Sequence, residues 1–118
     1  MYYCGTFTAS VPGIQSIIGL PFTPTKLKFT VNKTSATSFL SAGEAIAGSQ
    51  QANTTHFDVV PAGETLSDAT KCLLHRTRIG GVLTTTLSVA FVSFRTGGYK
   101  VNVITPDATT QIYVEAWA

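Results

Sequence analysis

Apolar and polar residues alternate along most of the chain, and no segment longer than a few residues has a helical period. The stretch "TKLKFTVNK" (25–33) shows the pattern most simply. Leu27, Phe29 and Val31 fall on one side, and lysine, threonine and asparagine fall on the other. A strand places successive side chains on opposite faces, so this stretch predicts a strand with one buried face and one solvated face.

The longest predicted strand is "GVLTTTLSVAFVSF" (81–94). Strict alternation divides its apolar residues into two sets, Leu83, Leu87, Val89 and Phe91 on one side and Val82, Ala90, Val92 and Phe94 on the other. Because its second half is apolar on both faces, we expect a central strand covered from both sides or by a partner subunit. Its β-branched and aromatic content agrees with a strand.

The C-terminal third predicts two more strands, separated by turn residues. Gly97 and Gly98 favour a tight reversal before strand 99–105, and Pro106-Asp107 starts the next turn. The last strand, 109–117, carries two alternating sets, Ile112, Val114 and Ala116 against Gln111, Tyr113, Glu115 and Trp117; either set is able to face inward. We expect the three strands from 82 to 117 to form a meander.

The rest of the chain predicts short strands and long connections. "CGTFTAS" and "IQSII" are expected strands around the turn at 11–13, followed by a proline-rich connection at 19–24. Further strands are expected at 56–60 and 71–79, with a loop at 62–69. Residues 34–55 are expected to form an exposed loop or an irregular strand. About seven or eight strands at regular spacing indicate one all-β domain spanning 1–118, an antiparallel β-sandwich of jelly-roll-like type.

Composition narrows the classes of function. Only 12% of the 118 residues are charged and the net charge is +2, without a cluster of basic residues, so neither nucleic-acid binding nor membrane insertion is expected. A surface rich in threonine and serine but poor in charge fits a virion or extracellular location, or a chain that forms a homo-oligomer. The N-terminus shows no signal peptide, which favours release by lysis or a mature or excised piece.

Five residues are candidate ligand-binding residues. His75, Arg76 and Arg78 form the densest polar cluster, and the two arginines share a strand face from which they can grip a carboxylate or phosphate. The alternative is that they pair with acidic residues across a sheet or subunit boundary. Tyr99 and Trp117 are candidates for stacking on a sugar ring or a neighbouring subunit, and their alternative is packing in the core or at an interface.

No catalytic residue, metal site or cofactor is predicted. The chain has neither a nucleophile elbow nor a paired set of carboxylates nor a phosphate-binding glycine motif. His56 and Asp58 share a strand face but lack a third ligand, so a solvated face is the preferred interpretation. Cys4 and Cys72 either close a disulfide or stay free.

Three stretches resemble small β-sandwich modules of phage tail fibres and other exposed phage proteins. They are "GTFTASVPGIQSIIGLPFTPTKLKFTV" (5–31), "GGYKVNV" (97–103) and "TTQIYVEAWA" (109–118), and the layout is also similar to H-type lectin domains, whose last strand ends near a tryptophan. The resemblance implies an oligomer, most often a trimer, that binds a cell-surface glycan or protein. Residues 34–80 have no counterpart in it.

Three hypotheses follow. The first is a trimeric binding module whose loops at 34–55 and 61–70 carry specificity for a cell-surface glycan or protein. The second is a purely structural virion subunit, such as a capsid, decoration or tube protein, in contact with other virion proteins. An enzyme is the third and the least favoured.

Overall fold

The alternating pattern forms ten antiparallel strands within the residues that the structure describes. The computed structural model describes residues 1–34, 38–56, 64–79 and 82–118. In chain order the strands are β1 (Tyr2–Phe7), β2 (Gly13–Ile18), β3 (Lys26–Thr34), β4 (Ser38–Ile46), β5 (Ser49–His56), β6 (Glu64–Asp68), β7 (Leu73–Ile79), β8 (Val82–Arg95), β9 (Gly98–Thr105) and β10 (Ile112–Trp117). No helix occurs in these ranges. The predicted all-β, antiparallel sandwich is confirmed.

Two sheets make up the sandwich. A six-stranded sheet has the order β1-β10-β3-β4-β5-β6, and a four-stranded sheet has the order β2-β9-β8-β7. The chain passes between them at 8–12, 19–25, 69–72 and 106–111. The proline-rich segment after β2 is one of these crossings, as its poor fit to a strand predicts.

The core lies between the inner faces of the two sheets. Phe29 from the six-stranded sheet and Tyr99 from the four-stranded sheet have no exposed surface, and their ring centroids lie 6.0 Å apart. Phe7 meets both rings edge-on, at 6.3 and 6.1 Å. Edge-to-face pairs of this kind add about 0.5–1.5 kcal/mol each to the burial of the rings. Leu27, Phe29 and Val31 are all buried, which confirms the inward face predicted for 25–33.

The predicted meander from 82 to 117 is wrong. β8 and β9 form a hairpin through a turn in which Gly97 has a φ of 69°, but β10 leaves that sheet and pairs with β1 and β3. Asp107 shapes the crossing, because its carboxylate accepts hydrogen bonds from Thr109 and Thr110 while its N–H donates to the carbonyl oxygen of Ala9. The turn thereby directs the chain across the sandwich.

The described part of 34–55, expected to be an exposed loop or an irregular strand, forms regular strands, and the loop predicted at 62–69 is wrong. Residues 34–55 contain the β4–β5 hairpin, and most of 62–69 is β6. The inward positions of β4 and β5 hold small or hydroxyl-bearing residues, namely Ser41, Ala45, Ala52 and Thr54. Without large apolar residues at these positions, the sequence does not show the alternation that predicts a strand. The strand predicted at 56–60 lies outside the described residues beyond position 56.

A β-bulge corrects the predicted faces of β8. Phe91 pairs with Val101 and Ser93 pairs with Lys100, so Val92 is an extra residue. The insertion reverses the alternation beyond it. Phe91 and Phe94 therefore share the inner face, with ring centroids 4.7 Å apart, although strict alternation assigns them to opposite sides.

Candidate functional site: the outer face of the six-stranded sheet

Two of the five candidate residues lie inside the sandwich. His75 on β7 and Tyr99 on β9 both have 0% exposed surface. Neither side chain is presented to solvent, so this arrangement favours the packing alternative for Tyr99. Burial also raises the pKa of the Tyr99 phenol far above its usual value, which keeps the hydroxyl neutral.

The two arginine candidates also lie on β7. Arg76 is half-buried, and its Nε is buried without a hydrogen-bond partner among the described residues. Its charge helps to lower the pKa of Asp68, although hydrogen bonds from Thr70 are the larger cause. The backbone of Arg78 pairs with that of Leu83, and its side chain is not among those described.

His75 belongs to an internal polar cluster with Ser41 and Thr54. Its Nδ1 lies 2.7 Å from the Ser41 hydroxyl, which is 3.2 Å from the Thr54 hydroxyl. Thr54 donates to the carbonyl oxygen of Leu74. A serine hydroxyl within hydrogen-bonding distance of a histidine is the geometry of an activated nucleophile. Here both residues are fully buried, and the cluster instead ties β4 and β5 to β7 across the two sheets.

Trp117, the fifth candidate, lies on the outer face of the six-stranded sheet. It pairs with Tyr2 on β1 and Lys26 on β3, so the three side chains form one row across the sheet. The rings of Tyr2 and Trp117 are 5.4 Å apart between centroids, and the Lys26 ammonium lies 5.5 Å from the centre of the indole ring. Such a cation–π contact at an exposed position is worth about 0.5–1 kcal/mol.

Further rows extend this surface. Cys4, Glu115, Lys28 and Glu44 pair in the next row, and Tyr113 follows with Thr30 and Ala42 in the third. A small depression of about 110 Å³ lies beside them, lined by Lys28, Ala42, Gly43, Glu44, Gln51 and Asn53. We call this surface the aromatic face and define it by Tyr2, Tyr113 and Trp117, together with Lys26, Lys28, Glu44 and Glu115.

A hydrogen bond fixes part of the aromatic face. The Tyr2 hydroxyl donates to Glu115 Oε2 over 2.9 Å. This bond, more than desolvation or the nearby negative charge, raises the pKa of Tyr2. The Tyr2 ring is therefore held against the Trp117 ring with its hydroxyl protonated. Tyr2 is 53% exposed and Trp117 is partly buried, so the pair presents an apolar surface bordered by charged groups.

The sequence contained part of the signal for this face. Alternation along 25–33 places Lys26 and Lys28 on the face opposite the apolar residues, and alternation along 109–117 does the same for Tyr113 and Glu115. It does not show that β10 inserts between β1 and β3, which brings these residues together. Tyr113, Glu115 and the two lysines were therefore not among the predicted ligand-binding residues.

The cysteines lie apart and are free. Cys4 is exposed, whereas Cys72 is buried in the core. Desolvation raises the pKa of the Cys72 thiol to about 12. In the part of the chain that the structure describes, no three His, Cys, Asp or Glu side chains are grouped closely enough to hold a metal ion. Within the same ranges, no helix is long and apolar enough to span a membrane.

No family model, curated protein or solved structure matches the chain. The resemblance to phage tail-fibre modules and H-type lectins therefore rests on the sequence motifs at the two ends of the chain.

Proposed function

We propose that the protein is a non-catalytic binding module of a virion or other exposed assembly, and that it recognises a cell-surface glycan through the aromatic face. The observation that supports this most directly is a sheet surface on which two half-exposed tyrosine rings and the partly buried Trp117 ring lie beside charged side chains. A sugar ring has an apolar C–H side and a rim of hydroxyl groups. Aromatic rings cover the first, and lysine and glutamate side chains hydrogen-bond the second.

The spacing of the aromatic residues favours an oligosaccharide over a single sugar. Trp117 and Tyr113 are four residues apart on β10, which places them about 13 Å apart along an extended strand. That distance exceeds the length of one sugar ring. Charged groups between them, Lys28 and Glu115, are placed to contact the hydroxyl groups of a chain that bridges the two aromatic positions.

The module is proposed to act as a homo-oligomer, with a trimer favoured by the resemblance to tail-fibre modules. A second observation supports an association surface. The outer side of the four-stranded sheet and its margin expose Ile14, Ile18 and Ile104, each 47–65% exposed. The same residues favour the alternative function, a purely structural virion subunit that contacts copies of itself or other virion proteins.

A glycan array with the purified protein, followed by calorimetric titration of each hit at lengths of one to four sugars, tests the proposal. We expect affinity to rise with length and Trp117→Ala to weaken binding at least tenfold, a loss of about 1.4 kcal/mol. Ile18→Ala is the matched control, since it removes an exposed apolar side chain from the other sheet and is expected to leave binding within twofold.

Light scattering on the same sample distinguishes the two functions. A closed trimer that binds a glycan supports the binding module. A large ring, shell or fibre with no glycan hit supports the structural subunit instead. Equal affinity of Trp117→Ala and the unmodified protein, with both correctly folded, would show that the aromatic face does not bind the glycan.

A further inference from the structure

A cleft opens between the two sheets at the end of the sandwich where the β4–β5 hairpin turns. Its volume is about 400 Å³, within the roughly 300–1,000 Å³ typical of small-molecule sites. The six-stranded sheet contributes the hairpin, the four-stranded sheet contributes the bulge of β8, and the crossing from β6 to β7 covers one side. The described residues that line it are Gly48, Ser49, Gln50, Ala69, Phe91 and Val92.

The side chain of Gln50 has a defined orientation in this cleft. Its Oε1 accepts a hydrogen bond of 2.8 Å from the backbone N–H of Phe91, at the start of the bulge. Because the oxygen of this side-chain amide is already bonded, its nitrogen, on the other side of the amide group, keeps two N–H donors. None of the described residues accepts a hydrogen bond from this nitrogen. The Ser49 hydroxyl adds a further donor and acceptor at the rim.

The opposite wall of the cleft is apolar. Phe91 is half-buried, and the Phe94 ring packs against it on the core side. Val92, the extra residue of the bulge, is 46% exposed. Bulges are frequent next to binding sites because they redirect a side chain out of the regular alternation. One wall therefore offers an apolar ring, and the facing wall offers hydrogen-bond donors.

We infer that this cleft binds one uncharged sugar ring, with the apolar side of the ring on Phe91 and its oxygen atoms on Gln50 and Ser49. The described lining contains no ionisable side chain, so a charged ligand loses hydration without gaining an ion pair. The inference does not depend on the proposed function, because the aromatic face is the outer surface of one sheet and the cleft lies between the sheets.

Amide-detected NMR titration of the ¹⁵N-labelled protein tests the inference. The probes are millimolar glucose, galactose, mannose and N-acetylglucosamine, with N-acetylneuraminic acid as the charged comparison. We expect at least one neutral sugar to shift the amide signals of Gly48, Ser49, Gln50, Ala69, Phe91 and Val92 together. N-acetylneuraminic acid is expected to leave them unchanged. Absence of shifts with all four neutral sugars, or equal shifts with the acid, would overturn the inference.

Three variants test the site and its separation from the aromatic face. Gln50→Glu keeps an oxygen for the Phe91 N–H but removes the two amide donors, so neutral-sugar affinity should fall about tenfold with the fold intact. Ala69→Phe fills the cleft and should abolish the shifts. Trp117→Ala should leave cleft binding within twofold while it weakens the aromatic face. Unchanged binding in Gln50→Glu, or lost binding in Trp117→Ala, would contradict a separate site.

Discussion

Gly43 in the middle of β4 provides the sharpest test of how the two sheets meet. A Cβ atom added there would overlap the carbonyl oxygen of Cys72, and would lie 2.7 Å from its carbonyl carbon and 3.0 Å from the carbonyl oxygen of Gln51. Real Cβ atoms essentially never approach other atoms closer than 3.0 Å. The neighbouring atoms are backbone, so no side-chain rotation relieves the overlap. Gly43→Ala must therefore push the crossing segment away from β4.

Two contributions determine how much Gly43→Ala lowers the free energy of unfolding. Overpacking a well-filled interior typically costs about 1–3 kcal/mol. A displacement of about 1 Å at Cys72 also lengthens the nearby hydrogen bond between Ser41 and His75, which is worth roughly 1 kcal/mol. We expect a loss of about 3 kcal/mol. For a domain of this size, that corresponds to a decrease in Tm of roughly 12 °C.

Thermal unfolding followed by circular dichroism, together with urea titration, measures the effect. Gly5→Ala is the matched control, because it makes the same change within the same sheet. The atoms nearest its added Cβ lie at the far end of the Tyr3 side chain, which can shift more easily than backbone, although it packs against the core. This control should lose less than about 1 kcal/mol. If Gly43→Ala and Gly5→Ala unfold within about 2 °C of each other, the close approach of the crossing segment to β4 is wrong.

Three further predictions concern titratable groups. In native protein at pH 8, a thiol reagent should label Cys4 and leave Cys72 unmodified, because burial raises the pKa of the Cys72 thiol to about 12. Both cysteines should react in denaturant, and full labelling of Cys72 in the native protein would contradict its burial. Tyr99→Phe should raise the free energy of unfolding by about 1 kcal/mol in urea titrations, because it removes a buried hydroxyl that has no hydrogen-bond partner among the described residues. A loss of stability would mean that the hydroxyl is hydrogen-bonded. Hydrogen bonds from Thr70 are the main reason why the pKa of Asp68 in the folded state lies below its usual 3.8. Ionised Asp68 therefore stabilises the fold above about pH 4, and this contribution disappears as the pH falls through the folded pKa. The Tm difference between the unmodified protein and Asp68→Asn should accordingly be larger at pH 6 than at pH 2.5, and a constant difference would refute it.

Alternation predicts strands well where large apolar residues mark one face. The inward residues of β3, such as Leu27 and Phe29, were predicted for this reason. In β10, alternation separated the two sets of residues, but only the structure shows that Ile112 and Val114 belong to the inward set. It predicts poorly where the inward positions are small. The sequence pattern does not predict the β4–β5 hairpin as two regular strands, because the segment that leads into β7 approaches it closely and leaves room only for glycine, alanine and hydroxyl-bearing residues, such as Ser41.

The candidate site was likewise predictable only in part. Trp117 was predicted because an aromatic residue near the end of an alternating strand is visible in the sequence. The residues around it depend on strand order, which hydrogen bonds between distant segments decide. Tyr2 and Trp117 are neighbours only because β1 pairs with β10, and Lys26 joins them because β3 pairs on the other side.

A two-residue period of apolar side chains, without a helical period beside it, predicts sheets that pack their apolar faces together, and short strands at regular spacing favour a β-sandwich. The pattern does not predict which strands pair, where a bulge reverses the alternation, or which polar residues become buried. These features depend on contacts between segments far apart in the chain, and a local pattern carries no information about its distant partner. The aromatic face and the cleft both arise at such contacts.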